Sequence, residues 1–286
     1  MSDPELSVVV PSYNGGLRLR ATLPRIMAAI AASRVSSAEV IVVDDGSNPA
    51  NHDMVQRFIA ASAGAPVSRT TSRRPRVGTG MVPGIVAAGP REDGAGAVQL
   101  LLVCLPRNRG QQTATIIGAG LTRGQLVATL DDDGDHPPEE LPAMIERMRE
   151  DPQLDLLYGA PLQSKGRLPV YRRLGTSLNN LLFRISVGKP WDVPVTSFRI
   201  IRADHLARAL ALPIRFPYLS AMLFGASPAP RVAVHRYPAR GTSSTRYSPL
   251  RLGRVFWGLL LYWGPLRGVG RLVRRRRPFD IAGGCL

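Results

Sequence analysis

Short, predominantly apolar runs alternate with apolar positions at helical spacing along the first half of this chain. Residues 6–10, 39–43, 98–105 and 126–130 are such runs, the pattern of strands buried on both faces. Between the first two, Leu19, Leu23, Ile26, Met27 and Ile30 recur every three to four residues and predict an amphipathic helix. Further helices are expected over residues 50–61 and 111–121. Strands alternating with helices predict an α/β fold, a mostly parallel sheet with helices on both faces. Ligands bind such sheets beyond the carboxyl ends of the strands. The segments PSYN, DDGS and DDDGD all fall at such ends, and their convergence is the first indication of a site.

The second half is less regular. A helix over 138–149 is entered through the double proline, as helix starts tolerate. Strands are expected at 154–158, 196–201 and 232–235. Val170, Leu174, Leu178, Leu181, Leu182 and Ile185 repeat at helical spacing, which predicts a core-facing helix. Residues 64–97, rich in Gly, Ala, Pro, Arg and Ser, lack periodicity and read as a flexible surface insertion.

Charge adds to this picture. The 286 residues carry a formal net charge of +16, almost all of it arginine, since Lys165 and Lys189 are the only lysines. A nucleic acid, an anionic membrane surface or a phosphorylated substrate would each suit that charge. Cys104 sits in an expected strand and Cys285 near the end, so no disulfide framework is expected and a reducing cytoplasm is favoured. MSDPELSVVV lacks the basic start and long apolar core of a secretory signal.

Against this basic background, TLDDDGDHPPEELP at 129–142 concentrates carboxylates directly after an apolar run. A calcium loop would need glycine at its sixth position and glutamate at its twelfth, but His136 and Pro142 stand there. Helix capping by Asp135 is the structural alternative, but it leaves Asp131 and Asp133 unexplained. A D-x-D at a strand end suits Mg²⁺ or Mn²⁺ with coordination positions left for diphosphate oxygens.

These segments resemble the family 2 glycosyltransferases of GT-A fold, closest to the branch that makes polyprenyl-phosphate sugars. The landmarks VVVPSYN, IVVDDGSNP, PRNRGQQTATIIGAGL, VATLDDDGDHPPEELP, LLYGAP, TSFRIIR and HRYPARGTSSTRYS occur in order over residues 5–250. The resemblance implies a catalytic domain at 1–248 and a basic segment at 249–286. It implies that Pro11, Tyr13, Asn14, Asp44, Asp45, Arg107, Gly110, Asp131 and Asp132 bind a nucleoside-diphosphate sugar, with UDP favoured over GDP. It implies that Asp131 and Asp133 hold the metal, with Asp135 added beside them as a further candidate ligand, and that Arg199, Arg240 and Arg246 meet the acceptor phosphate. Asp133, Asp135, Arg199 and Asp192 are the catalytic candidates. The implied reaction is an inverting transfer to a polyprenyl phosphate, whose anionic oxygen needs no strong general base. A hydroxyl acceptor would need one, with Asp192 and His136 as candidates.

The chain departs from the family pattern in three places. Gly15 stands where glutamate usually follows PxYN, Asp135 replaces a glutamine, and no apolar stretch reaches the roughly 20 residues of a membrane span. Residues 249–286 hold eight arginines against Asp280, a net +7, with Phe256, Trp257, Tyr262 and Trp263 just before the run RLVRRRRPF. That composition predicts peripheral attachment at the inner face of the cell membrane, with packing on the core or nucleic-acid binding as alternatives. Competing activities are transfer to a soluble metabolite or polysaccharide hydroxyl, nucleotidyl transfer, and nucleotide binding without catalysis. A basic nucleic-acid-binding protein would explain the charge but not the acidic cluster, and no specific nucleic-acid motif is legible.

Overall fold

The computed structural model describes residues 3–63, 68–69, 85–91, 97–162, 181, 183–212, 216–239 and 257–263. Nine strands form one sheet: β1 (Leu6–Ser12), β2 (Ser37–Asp44), β3 (Ser68–Arg69), β4 (Ile85–Arg91), β5 (Ala97–Cys104), β6 (Leu126–Thr129), β7 (Leu156–Pro161), β8 (Arg199–Arg202) and β9 (Val232–Tyr237). Their order is β3-β4-β5-β2-β1-β6-β8-β7-β9. The central strands β5, β2, β1 and β6 run parallel, so their carboxyl ends share one edge. This is the expected α/β architecture.

The apolar runs become central strands because both faces are covered. Val8, Val10, Val40, Val42, Leu100 and Leu102 point to one face, where α1 (Gly16–Ala32), α2 (Pro49–Ala63) and α4 (Leu141–Glu150) contribute to the core. Val9, Ile41, Val43, Leu101 and Val103 point to the other, packed with α3 (Gln111–Gly120), α5 (Ala203–Leu210) and α6 (Leu219–Gly225). That alternation is the period of two expected of a pleated strand. Leu19, Leu23, Ile26 and Ile30 of α1 are buried on one stripe, each contributing roughly 1.5–3 kcal/mol relative to exposure.

Three sequence expectations change. Within 64–97, residues 85–91 form β4, paired antiparallel with β5, with a register shift between Ala88 and Pro90. Proline cannot donate to a ladder, so a bulge there is the usual accommodation. Of the helical repeat at 170–185, only residues 181 and 183–185 lie among the described residues. There Leu181 and Ile185, expected to face the core, are exposed, while Phe183 packs with Ala221 and Leu259. Residues 257–263 pack on the domain: Leu259 is buried, Trp263 Nε1 donates to the Phe216 carbonyl at 3.2 Å, and Tyr262 stacks on Phe216. The rest of 249–286 lies outside the described residues.

One topological detail matters for the site. β8 is antiparallel to β6, with Thr129 opposite Arg199. The start of β8 therefore lies at the same edge as the end of β6. Residues 196–199 reach the acidic loop for this reason.

Candidate active site

The loops after β1, β2, β5 and β6 are stitched together by their own polar groups. Asp45 N–H donates to the Ser12 carbonyl at 2.8 Å, Asn14 N–H to Ser47 Oγ at 2.9 Å, and Asn48 N–H to Asn14 Oδ1 at 3.0 Å. Asn14 is left-handed (φ 48°), a conformation asparagine tolerates because its side chain can bond locally. Gly46 is left-handed too (φ 69°), and a Cβ on it would lie 2.3 Å from the Arg107 carbonyl carbon. Only glycine lets the β2 and β5 loops approach so closely.

Asp44 and Asp45 are both buried, but they act differently. Asp45 accepts from the N–H groups of Arg109 (2.7 Å) and Gly110 (2.8 Å), clamping the loop that opens α3. Burial pushes its carboxyl above the usual range, and the two N–H donors act against that rise. Asp44 accepts from Ser47 N–H at 3.0 Å and faces His52 Nδ1 at 2.7 Å. Gln56 Nε2 lies 2.9 Å from His52 Nε2, so the ring is held between Asp44 and Gln56. Pro11 is buried beneath these loops, while Tyr13 and Arg107 are exposed and available to a ligand.

The three consecutive aspartates diverge. Asp132 turns inward: Ser12 Oγ donates to it at 2.6 Å, Arg18 Nε at 3.2 Å, and Thr22 Oγ1 to its carbonyl at 3.1 Å. Burial raises its carboxyl, opposed by the Ser12 and Arg18 donors. It holds the loop in place. A Cβ on Gly15 would lie 1.9 Å from Asp132 Oδ2 and 2.4 Å from Ser12 Oγ, so the Ser12–Asp132–Arg18 cluster occupies the space where a side chain at position 15 would begin.

Asp131 and Asp133 are left to face the edge. Asp131 is gripped on both oxygens, by Gln111 Nε2 (2.6 Å) and by Ser197 Oγ (2.6 Å). Ligand atoms of Asp131, Asp133 and His136 all lie within 4.8 Å of one another. Two carboxylates and one imidazole this close together suit a divalent ion. His136, and not Asp135, stands in this group among the described residues. The chain turns at Gly134, where Asp135 N–H caps Asp133 Oδ1 at 3.1 Å, and the His136 ring is held by stacking on Phe198. His136 Nδ1 accepts the Asp131 N–H at 3.3 Å, which leaves it beside the carboxylate that would share the ion.

Other expectations are redirected. Arg199 is 1% exposed, donating to Thr129 Oγ1 and Ser220 Oγ, with its guanidinium over the Tyr158 ring; it lies beneath the site and not on an acceptor surface. An arginine on β8 whose backbone pairs with Thr129 and Tyr158 is carried into the sheet interior by that register. Asp192 is exposed, and no described hydrogen bond or ion pair joins it to the acidic group. Arg240 and Arg246 lie outside the described residues. Arg18, Gln111 and Ser197 were missed: each is unremarkable in sequence, and only the fold brings it to a carboxylate.

With this geometry in view, comparison places the chain. The sequence profile described as "Glycosyl transferase family 2" matches residues 7–88 and 98–209, more than half of the chain. The chain belongs to glycosyl transferase family 2. Relatives of this family 2 chain include a dodecaprenyl-phosphate galacturonate synthase from Rhizobium johnstonii, 27% identical over 90% of this chain and 65% of that protein. Another is an undecaprenyl-phosphate 4-deoxy-4-formamido-L-arabinose transferase from Pseudomonas paraeruginosa, 26% identical over 89% of this chain and 64% of that protein. The chain thus spans slightly less than two thirds of the length of these relatives. Among solved structures, glucosyl-3-phosphoglycerate synthase from Mycobacterium tuberculosis, in complex with Mn²⁺, UDP and phosphoglyceric acid, has a TM-score of 0.53. It is 17% identical, covering 91% of this chain and 79% of that one. Mannosyl-3-phosphoglycerate synthase from Rubrobacter xylanophilus has a TM-score of 0.54 at 18% identity, covering 95% and 75%. At such identities the likeness establishes a shared fold alone.

Proposed function

We propose that this chain is an inverting glycosyltransferase that moves a sugar from a nucleoside-diphosphate sugar, UDP favoured over GDP, to the phosphate of a polyprenol. The observation that carries the reading is the Asp131–Asp133–His136 group at the shared carboxyl edge, beside the loops that hold Asp44 and Tyr13. The names of the polyprenyl-phosphate relatives support the acceptor class.

Asp131, Asp133 and His136 would hold Mg²⁺ or Mn²⁺, which when bound neutralises charge on the departing diphosphate. Gln111 and Ser197 fix the Asp131 carboxylate from both sides, and Asp132, locked by Ser12 and Arg18, fixes the loop that carries all three ligands. Pro11, Tyr13, Asn14, Asp44, Arg107 and Gly110 line the donor side. Asp45 contributes by shaping the Arg109–Gly110 turn. The acceptor phosphate attacks the anomeric carbon from the face opposite the leaving group, and its anionic oxygen requires no proton to be removed. Arg240 and Arg246 remain candidates for that phosphate. Attachment to the inner face of the membrane belongs to the same proposal; among the described residues no helix is long and apolar enough to cross a membrane.

The test is direct. Purified protein with Mn²⁺ or Mg²⁺, UDP- and GDP-sugars and a short polyprenyl phosphate should yield lipid-linked sugar. Asp133→Ala, at an exposed position, should abolish turnover with folding intact. Product formed only with soluble alcohols would move the assignment to a hydroxyl-acceptor enzyme.

A further inference from the structure

Arg199 is a cation buried in the sheet, and none of the described ion pairs gives it a carboxylate partner. Burying a guanidinium without a counter-ion is costly, so its other contacts must account for its place. Nε–H donates to Thr129 Oγ1 at 3.2 Å, Nη1–H donates to Ser220 Oγ at 2.7 Å, and the cation sits 5.7 Å from the Tyr158 ring centre. These contacts have a directional consequence. Having accepted from Arg199, the Thr129 hydroxyl turns its own hydrogen to the Ser197 carbonyl at 2.5 Å. That bond pins Ser197, whose Oγ donates to Asp131 Oδ2 at 2.6 Å. The neighbouring residue is fixed as well, since Thr196 Oγ1 donates to the Gly159 carbonyl at 2.9 Å. A buried cation therefore determines the rotor of a threonine, the threonine sets the backbone of a serine, and the serine holds one oxygen of the candidate metal ligand.

We propose that Arg199 is a positioning residue for the divalent ion, acting through Thr129 and Ser197 to hold the Asp131 carboxylate in its ligating orientation. The inference rests on the metal reading given under the proposed function. It assigns the arginine a role other than contact with acceptor phosphate, and it makes Ser197 part of the metal site's support. Outer contacts of this kind commonly set metal affinity by about 10- to 100-fold.

The experiment measures Mn²⁺ binding to the purified protein by titration of the free-ion EPR signal, alongside thermal unfolding and steady-state kinetics. Ser197→Ala, at a half-buried position, removes the last link and should weaken Mn²⁺ binding by about 10-fold, with little change in unfolding temperature. Thr129→Val keeps the shape, removes the hydroxyl, and should weaken Mn²⁺ binding comparably. The double variant should bind no worse than the weaker single variant, because both act on one carboxylate along one path. Wild-type affinity in both single variants would overturn the proposal, as would independent, multiplicative losses in the double. A raised KM for polyprenyl phosphate at unchanged Mn²⁺ affinity would also overturn it. If the wild-type protein itself binds no Mn²⁺, the metal reading of the whole site falls, an outcome distinct from the others.

Discussion

Gly15 offers the sharpest test of how the acidic loop is built. Its backbone (φ −104°, ψ 18°) is open to any L-residue, so replacing it with alanine should cause no dihedral strain. Considered alone, Gly15→Ala would stabilise the protein by about 0.4–1 kcal/mol through the unfolded chain. Space opposes this. The new Cβ would lie 1.9 Å from Asp132 Oδ2, 2.4 Å from Ser12 Oγ and 3.0 Å from an Arg18 nitrogen. Relief requires a shift of about 1 Å or more, enough to break the 2.6 Å Ser12–Asp132 bond. A hydrogen bond to a buried charged group contributes about 1.5–3 kcal/mol, and the half-exposed Arg18 pair adds at most about 1. The net expectation is a loss of about 1–3 kcal/mol, or roughly 3–10 °C in unfolding temperature. Thermal unfolding of wild type, Gly15→Ala, Asp132→Ala and the double variant would measure it. In the Asp132→Ala background the 1.9 Å contact is gone and Ser12 Oγ, released from its bond to Asp132, can rotate away, so the alanine should cost less than it does in the wild-type background. An unchanged or raised unfolding temperature for Gly15→Ala alone would refute the reasoning. Glutamate at position 15 begins with the same Cβ and is expected to destabilise likewise.

Two further outcomes can be checked on other parts of the molecule. Tyr237, buried and near Glu140 and Asp135, has its phenol pushed up to about 12 by burial first and those carboxylates second. Because the folded value lies above the ordinary 10, the stability it contributes is complete below pH 10 and is lost as pH rises through 12. Tyr237→Phe should therefore flatten the alkaline limb of stability by on the order of 2 kcal/mol across that window, and an identical limb would contradict the placement. Removing residues 264–286, which hold six of the eight arginines of 249–286 and leave 257–263 in place, should reduce co-sedimentation with anionic vesicles. Equal recovery would refute membrane attachment through that segment.

Much of the fold was legible because the physics was local. The runs at 6–10, 39–43 and 126–130 are apolar at four of five positions each, and a central parallel strand is the arrangement that buries both of its faces. β4 was not legible: its residues, IVAAGPR, carry small side chains, glycine and proline, and pairing with β5 decides their conformation. The same division runs through the site. Asp131 and Asp133 could be read from spacing at a strand end. That Asp132 faces inward and His136 stands beside Asp131 and Asp133 depends on Arg18 and Phe198, from distant parts of the chain. Arg199 shows the limit most clearly. Its neighbours in sequence matched a phosphate-binding pattern, but an antiparallel register set its side chain among Thr129, Tyr158 and Ser220. The aromatic stretch at 257–263 resembled a headgroup anchor, and its packing against Phe216 is a tertiary contact that composition does not reveal.

Calorimetric titration of UDP into the protein, with Mn²⁺ and again after chelation, tests the central claim most directly. The account predicts binding that depends on Mn²⁺ and disappears in Asp131→Ala and Asp133→Ala proteins that remain folded. UDP binding that persists at full strength without the ion, or with either aspartate removed, would contradict it.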